Sequence, residues 1–349
     1  MDFGRFHGKT LTDRERKRIL WALVETEGFG RFLEERFAGT RRFGLDGAEA
    51  AIPALEEILR RGSLLGLTDV VIGMAHRGRL NVLGQILRKP PRAIFKELKG
   101  GPLVSESGAS ADREFDGRSL HLSVTGNPSH LETPSPGDVI DRSSVLSLLV
   151  HDDAAFAHGG AVEGFDGLKG DGTGGSVHLV INRQIGIPPA PRHSRSYRDP
   201  SDFGRTLDAP VFQVNGDDPE AVVRVAAMAI AFRQEFRKPV VIDMLCFRHD
   251  GDSEGDELAF TQPGVNRTIR ARESALEIYG RKLIEKGVIT QAFIDSAKAS
   301  WAARLASEYD ASHDDMPAEA DWLEGKWAGL SLISLFKPRP LHVASPCVT

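Results

Sequence analysis

The chain has 349 residues, enough to bury a substantial core in one large or two smaller domains. Its 49 acidic and 44 basic side chains give a net charge of −5, which offers no electrostatic basis for binding nucleic acid. The two cysteines, Cys246 and Cys347, lie far apart, a usage typical of a reducing compartment. The chain shows neither a signal peptide nor an apolar run of membrane-spanning length, so we expect a cytoplasmic protein without membrane contact.

The first part of the chain is predicted to be helical. Thr12 and Glu15 have the spacing of a capping box at a helix start. Apolar residues then recur at helical spacing, namely Ile19, Leu20, Leu23 and Val24. A glycine-punctuated turn after residue 40 leads into a second helix that ends near residue 59. We assign residues 1–62 to an N-terminal helical segment.

A cluster of basic side chains follows the first predicted strand, residues 70–74. His76, Arg77 and Arg79 stand at the carboxyl end of that strand, just before a helix that extends to about residue 87. Such a place suits an anion-binding pocket. Charged residues on a protein surface give the same pattern, and these residues alone do not separate the two interpretations.

Polar residues also follow two central apolar runs. Asp152 and Asp153 come directly after residues 145–150, and Asn182, Arg183 and Gln184 follow residues 177–181. Both runs are short, rich in β-branched residues and predicted to be buried strands. Oxygen ligands at the carboxyl ends of parallel strands would suit a divalent cation and a diphosphate. The alternative interpretation is that the acidic residues are helix caps or solvated loop residues.

Strands and helices continue to alternate after residue 186. A strand is predicted at 211–214, followed by a helix with Asp218 as its N-cap and Pro219 at its first position. A strand at 240–245 and helices near 268–286 and 290–306 follow. This alternation predicts an α/β fold, a doubly wound and mainly parallel sheet with helices on both faces. Its domain would span residues 63–330, and residues 331–349 would form an irregular tail.

Several segments resemble the E1 component of 2-oxoglutarate dehydrogenase, a family of enzymes that use thiamine diphosphate. The similarity extends from about residue 13 to about residue 330. It is carried by RFGLDGAE (42–49), GMAHRGRLNVLGQILRKPPRAIF (73–95), NPSHLE (127–132), HDDAAFAHGG (151–160) and VHLVINRQIG (177–186). The resemblance implies the thiamine diphosphate-binding fold, with thiamine diphosphate and Mg²⁺ as cofactors.

The resemblance also implies roles for individual residues. His76 corresponds to a histidine that contacts the 2-oxo acid substrate, and Arg77 to an arginine that contacts the cofactor. Ser110 keeps the place of a family serine, and we assign it with His76 to the catalytic group. Asp153, Arg183 and Ile185 correspond to the family's aspartate, asparagine and backbone carbonyl, which hold the metal and diphosphate. We therefore predict Asp153 and Ile185 as metal ligands.

The sequence departs from the family pattern at this site. Arg183 stands where the family has an asparagine, and a guanidinium has no acceptor atom to ligate a cation, although it could bind diphosphate as a fork. A local slip could bring the amide of Asn182 to that place. Asp152 replaces a glycine, which disturbs close backbone packing. We expect a weakened or lost metal site.

A family histidine that faces the substrate also has no counterpart here. The corresponding residues, 103–110, read LVSESGAS. Because several substituted groups act on the cofactor or the substrate, we expect little activity from this chain alone.

The function implied by the resemblance is oxidative decarboxylation of 2-oxoglutarate in the tricarboxylic acid cycle. The acyl group would pass to the lipoyl group of dihydrolipoyl succinyltransferase, the E2 partner. Family enzymes carry a further, pyrimidine-binding domain, so we expect a homodimer or a partner chain that supplies it. Two alternatives remain open: a catalytically silent truncated remnant, or one half of a split E1.

Overall fold

The computed structural model describes residues 10–40, 42–100, 108–126, 143–156, 174–183, 209–247, 267, 269 and 271–312. Seven strands form one sheet within these ranges. They are β1 Asp69–Met74, β2 Ala109–Phe115, β3 Arg118–Val124, β4 Val145–Asp152, β5 Ser176–Asn182, β6 Val211–Asn215 and β7 Val240–Leu245. Their order is β2-β3-β1-β4-β5-β7-β6, and each pair of neighbours is parallel except β2 and β3. The predicted α/β fold with a mainly parallel sheet is confirmed.

Helices connect and cover the strands. Their bounds are α1 Asp13–Arg36, α2 Ala51–Leu64, α3 Arg79–Asn81, α4 Pro91–Leu98, α5 Asp153–Phe156, α6 Pro219–Phe236, α7 Ala275–Glu285 and α8 Gln291–Ala311. The short α3 continues as a π-helical turn, Val82–Ile86. The helix predicted near 268–286 begins at Ala275 as α7, because the hydroxyl of Ser274 accepts the Glu277 N–H and so caps the helix there.

The predicted helix starts are confirmed where the sequence offers capping groups. In α1 the Thr12 hydroxyl accepts the Glu15 N–H at 3.3 Å, and the Glu15 carboxylate accepts the Thr12 N–H at 2.7 Å. In α6 the Asp218 carboxylate accepts the Ala221 N–H at 3.2 Å. These bonds satisfy N–H groups that have no partner within the first helical turn.

The main core lies between one face of the sheet and a layer of helices. Helices α2 and α6 pack directly on this face, and α1 lies against α2, α6, α7 and α8. Strands β1, β3, β4, β5 and β7 contribute alternate residues, because side chains two positions apart point to the same face. Buried strand residues on this face include Ile72, Leu122, Leu148, Leu179 and Ile242.

The second face of the sheet carries a smaller cluster and several polar groups. Phe156 of α5 packs with Val180, Val241 and Ala209 on this face. Helices therefore lie on both faces in the part of the chain that the structure describes. In these ranges no helix is both long and apolar enough to cross a membrane. The domain boundaries at residues 62 and 330 stay a prediction.

We predict that shortening a core side chain of α2 destabilises the protein strongly. Leu59 is fully buried in α2, whereas Leu64 in the same helix is 39% exposed. Leu59→Ala should lower the free energy of unfolding by about 2–5 kcal/mol, because it removes buried methyl groups and leaves a cavity. Leu64→Ala, the matched control, should lower it by less than about 1 kcal/mol. Chemical denaturation measures both values, and equal losses would contradict this packing.

Candidate functional site

Three neighbouring parallel strands bring the predicted site residues to one edge of the sheet. Strand β4 pairs with β1 on one side and β5 on the other, all parallel, so their carboxyl ends lie together. His76 and Arg77 follow β1, Asp153 follows β4, and Arg183 follows β5. The carboxyl edge of such a sheet is where α/β proteins bind ligands. We call this group of residues the carboxyl-edge site.

An acidic partner accompanies Arg77. Its Nε lies 3.6 Å from an Oδ1 of Asp152, and the two side chains are 6% and 20% exposed. The sequence predicts that Asp152, in the place of a glycine, disturbs close backbone packing. The structure adds that its carboxylate offsets the charge of a buried guanidinium, which is costly to leave without a counter-charge.

A loop before α2 completes the site, and the sequence analysis assigned it no role. The ring of Phe43 lies on the ring of His76, with 3.8 Å between the two centroids. The backbone carbonyl of Phe43 accepts the Gly78 N–H at 2.8 Å. The carbonyl of Gly44 accepts a hydrogen bond from Nη2 of Arg183 at 3.3 Å. The loop therefore joins the end of β1 to the end of β5.

The backbone conformation and the close packing at position 47 require a glycine in this loop. The φ of Gly47 is +73°, and a Cβ placed there would lie 2.3 Å from the carbonyl oxygen of Phe247. A side chain would be strained by the left-handed backbone and would also clash. The signal for the loop in the sequence is RFGLDGAE itself, in which Gly47 allows a tight path past the chain that leaves β7.

Arg183 is buried at the centre of this site with incomplete hydrogen bonding. The residue is 4% exposed, and Nη2 donates to the Gly44 carbonyl, whereas Nε and Nη1 have no hydrogen-bond partner among the described residues. A buried charged donor without an acceptor costs about 1–3 kcal/mol or more. The position is therefore destabilising unless a bound group supplies acceptors.

The alternative, a slip that would bring Asn182 into the place of Arg183, is not found. Asn182 belongs to β5, and its Nδ2 donates to Oδ1 of Asp243 at 3.0 Å. Gln213 donates to the other oxygen of Asp243 at 3.3 Å. Both Asn182 and Asp243 are buried on the second face of the sheet. A slip of one residue would break this pair and move every β5 side chain to the opposite face.

Of the positions that the family pattern assigns to the magnesium site, the described residues include Asp153 and Arg183. Asp153 is fully buried and offers a carboxylate, but Arg183 offers only donors and a positive charge. Ile185, whose carbonyl was the other predicted ligand, lies outside the described residues. Within the ranges given above, no three His, Cys, Asp or Glu side chains come together to hold a metal ion. The residues fit an anion better than a cation.

Ser110 lies on the same edge but farther along it. It is in β2, paired with Ser123 of the antiparallel β3, and half-buried. Since β3 separates β2 from β1, Ser110 is roughly 10 Å from β1 at the usual strand spacing. Its catalytic role, like that of His76, stays a prediction.

Arg79, grouped with His76 and Arg77 as a basic cluster, has a structural role instead. Its guanidinium is fully buried and donates to the backbone carbonyls of Met74 and Thr125. Burial lowers the pKa of Arg79 to about 10. These bonds hold the end of β1 beside the chain that leaves β3, so we remove Arg79 from the anion pocket.

Histidines beneath the edge are kept neutral. His151 Nε2 lies 3.0 Å from His178 Nδ1, and the Ser176 hydroxyl lies 2.7 Å from His178 Nε2. Burial lowers the pKa of His151 to about 3 and that of His178 well below its ordinary value. This chain of hydrogen bonds ties β4 to β5 on the second face and supplies no cation to the site.

The structure thus defines an α/β protein with an anion-compatible site at the carboxyl ends of three parallel strands. Residues 31–320 match the sequence model of a family described as Dehydrogenase E1 component, and this chain belongs to that family. Use of thiamine diphosphate is general in it.

Curated relatives carry a more specific name. The 2-oxoglutarate dehydrogenase E1 components of Brucella canis (strain ATCC 23365 / NCTC 10854 / RM-666) and Brucella abortus (strain S19) are each 48% identical to this chain over 354 residues. Each match covers 91% of this chain and 35% of the relative. The chain therefore spans about a third of the length of these relatives.

A buried carboxyl group stands beside the loop that carries Phe43. Glu49 is 7% exposed, and its Oε1 accepts the Gly47 N–H at 3.0 Å. Its Oε2 has no hydrogen-bond partner among the described residues. Burial raises the pKa of Glu49 to about 7, from an ordinary 4.5. The group therefore takes up a proton more readily in the folded protein than in the unfolded chain.

We predict a pH-dependent loss of stability that traces to Glu49. Because its folded-state pKa is raised, the free energy of unfolding should fall as the pH rises from 4.5 to 7, by up to about 3 kcal/mol. Glu49→Gln should remove this fall and make the protein more stable than wild type at pH 8, with little difference at pH 4.5. Denaturant titrations at both pH values measure this. Glu114→Gln, at an exposed position of β2, is the control and should leave the profile unchanged.

Proposed function

We propose that this chain provides the part of a 2-oxoglutarate dehydrogenase-type E1 component that binds the 2-oxo acid and the diphosphate end of thiamine diphosphate. The observation that carries the proposal is the gathering of His76, Arg77, Asp153 and Arg183 at one sheet edge, in a chain of the E1 family. The names of the curated relatives support the 2-oxoglutarate type.

The charges at the edge suit anionic ligands. Two guanidinium groups, Arg77 and Arg183, are buried there, and Arg77 lies beside a carboxylate, that of Asp152. Both the diphosphate and a 2-oxo acid are anions, and guanidinium groups bind such oxygens through charge-assisted hydrogen bonds. We assign Arg77 and Arg183 to the cofactor's diphosphate.

We assign His76 to the substrate. Its ring is held against Phe43, and the side chain is 6% exposed, so its orientation is fixed by packing before a ligand enters. A positioned imidazole can donate a hydrogen bond to a carboxylate or a carbonyl oxygen of the 2-oxo acid. Thiamine diphosphate, when bound, supplies the carbanion chemistry of the decarboxylation.

The metal has a smaller part in this proposal than in the family pattern. Asp153 and the carbonyl of Ile185 are the proposed Mg²⁺ ligands, and Arg183 opposes the metal by its charge. Mg²⁺ should therefore contribute little to cofactor binding. The acyl product would pass to the lipoyl group of a dihydrolipoyl succinyltransferase, with the chain acting as a homodimer or beside a chain that carries the pyrimidine-binding part.

A second candidate is a catalytically silent relative that keeps the fold. Two observations favour it: Arg183 in the place of an amide, and the lack of histidine in residues 103–110. The two candidates differ in ligand binding, because a silent relative is under no constraint to bind a 2-oxo acid at this edge. Binding and turnover therefore have to be measured separately.

We predict that the purified chain binds 2-oxoglutarate through His76. His76→Ala should weaken binding at least about tenfold, because one hydrogen bond to a charged ligand is worth about 1.5–3 kcal/mol. Isothermal titration of 2-oxoglutarate measures the affinity. His121→Ala, at a 40% exposed side chain on β3, is the matched control and should bind as wild type does. If His76→Ala binds 2-oxoglutarate as tightly as wild type does, or if the wild-type chain does not bind it, the proposed function is wrong.

We further predict that this 349-residue chain alone releases carbon dioxide from 2-oxoglutarate no faster than free cofactor does. Losing one group that stabilises charge in a transition state commonly lowers a rate by about 100- to 1000-fold. Here both the metal amide and the substrate-facing histidine are replaced. The assay contains thiamine diphosphate, Mg²⁺ and an artificial electron acceptor. Turnover that His76→Ala abolishes would show a complete enzyme instead.

A further inference from the structure

The guanidinium group of Arg183 is buried with incomplete hydrogen bonding. Nε and Nη1 have no hydrogen-bond partner among the described residues, and Nη2 reaches only the carbonyl of Gly44. The nearby thiol of Cys246 gives no counter-charge, because burial raises its pKa well above the ordinary value and keeps it neutral. Buried donors in native proteins are nearly always paired with protein, water or ligand.

The geometry of the unpaired donors points to a ligand with several oxygens. Nε and Nη1 lie on different edges of the planar guanidinium group, so a single acceptor atom cannot satisfy both. A phosphate or diphosphate group carries oxygens in several directions and a negative charge to match. The second guanidinium at this edge, Arg77, is already beside Asp152, 3.6 Å away.

The location of Arg183 in the sheet independently favours a phosphate ligand. Arg183 follows β5 at the carboxyl edge, beside the end of β4, where a diphosphate held by Mg²⁺ would require an oxygen ligand. A guanidinium at this position repels a divalent cation and attracts the anion that the cation would otherwise hold. The substitution therefore replaces a metal bridge by a direct contact.

We propose that Arg183 binds the phosphate oxygens of a diphosphate-bearing ligand directly, so that this chain holds diphosphate without a divalent cation. This inference deepens the proposed function and rests on its assignment of the carboxyl-edge site to the cofactor's diphosphate.

The test is calorimetric titration of the purified chain with inorganic pyrophosphate, in EDTA and in excess Mg²⁺ at equal ionic strength. Wild-type affinity should be no higher in Mg²⁺ than in EDTA, because the direct contact needs no cation and Mg²⁺ chelates free pyrophosphate. Pyrophosphate should also raise the thermal unfolding temperature in EDTA, because a ligand that binds only the folded state stabilises it.

Three variants separate the contact from unspecific attraction. Arg183→Asn should bind at least tenfold more weakly in EDTA and recover affinity in Mg²⁺, because it restores an amide oxygen beside Asp153. Arg183→Lys should bind more weakly than wild type in EDTA and gain nothing from Mg²⁺. Arg118→Asn, at an exposed residue that begins β3 on the opposite edge, should match wild type. Thermal unfolding without ligand shows whether each variant is folded.

Wild-type binding that requires Mg²⁺ would overturn the inference. So would unchanged pyrophosphate binding by folded Arg183→Asn in EDTA, or no binding of pyrophosphate by wild type at all. The proposed function can fail separately from this inference. If the chain binds pyrophosphate through Arg183 but does not bind 2-oxoglutarate, the direct contact is confirmed and the assignment of the substrate is wrong.

Discussion

The parallel pairing of β1, β4 and β5 is the constraint on which the rest of the structure depends. The registers Val71↔Ser147 and Ser147↔Ser176 place three parallel strands side by side, so that all three run to the same edge of the sheet. Because side chains alternate between faces, a slip of one residue would exchange the apolar core face for the polar second face. Helices α2 and α6 cover the apolar face and so oppose any such slip. The position of every residue at the carboxyl edge follows from this pairing.

The site formed at that edge contains a buried group that costs stability. Arg183 is buried with incomplete hydrogen bonding, and a folded protein gains no stability from such a group. The surrounding structure holds it in place nevertheless, through the Gly44 carbonyl and the Phe43 loop. A group kept under these conditions is best explained by the ligand that completes its hydrogen bonds. The fold, by burying Arg183 at this edge, therefore supports the proposal that a diphosphate binds there.

Local patterns in the sequence were sufficient to predict much of this architecture, and long-range contacts account for what they missed. Short apolar runs predicted β4 and β5, and the polar residues after the predicted strands placed Arg77 and Asp153 at carboxyl ends. The pairing of Asn182 with Asp243 joins residues 61 positions apart, and no local pattern encodes it. The β2–β3 hairpin has a local signal that the predicted strands do not include, Asp116-Gly117, whose φ values of 49° and 80° suit a tight turn.

The most direct test of the central claim is a crystal structure of this chain soaked with thiamine diphosphate and Mn²⁺, with the anomalous signal of manganese recorded. The account predicts diphosphate oxygens within hydrogen-bond distance of Nε and Nη1 of Arg183, and no anomalous peak between the diphosphate and Asp153. A manganese peak bridging Asp153 and the diphosphate, with Arg183 turned away from the ligand, would contradict it.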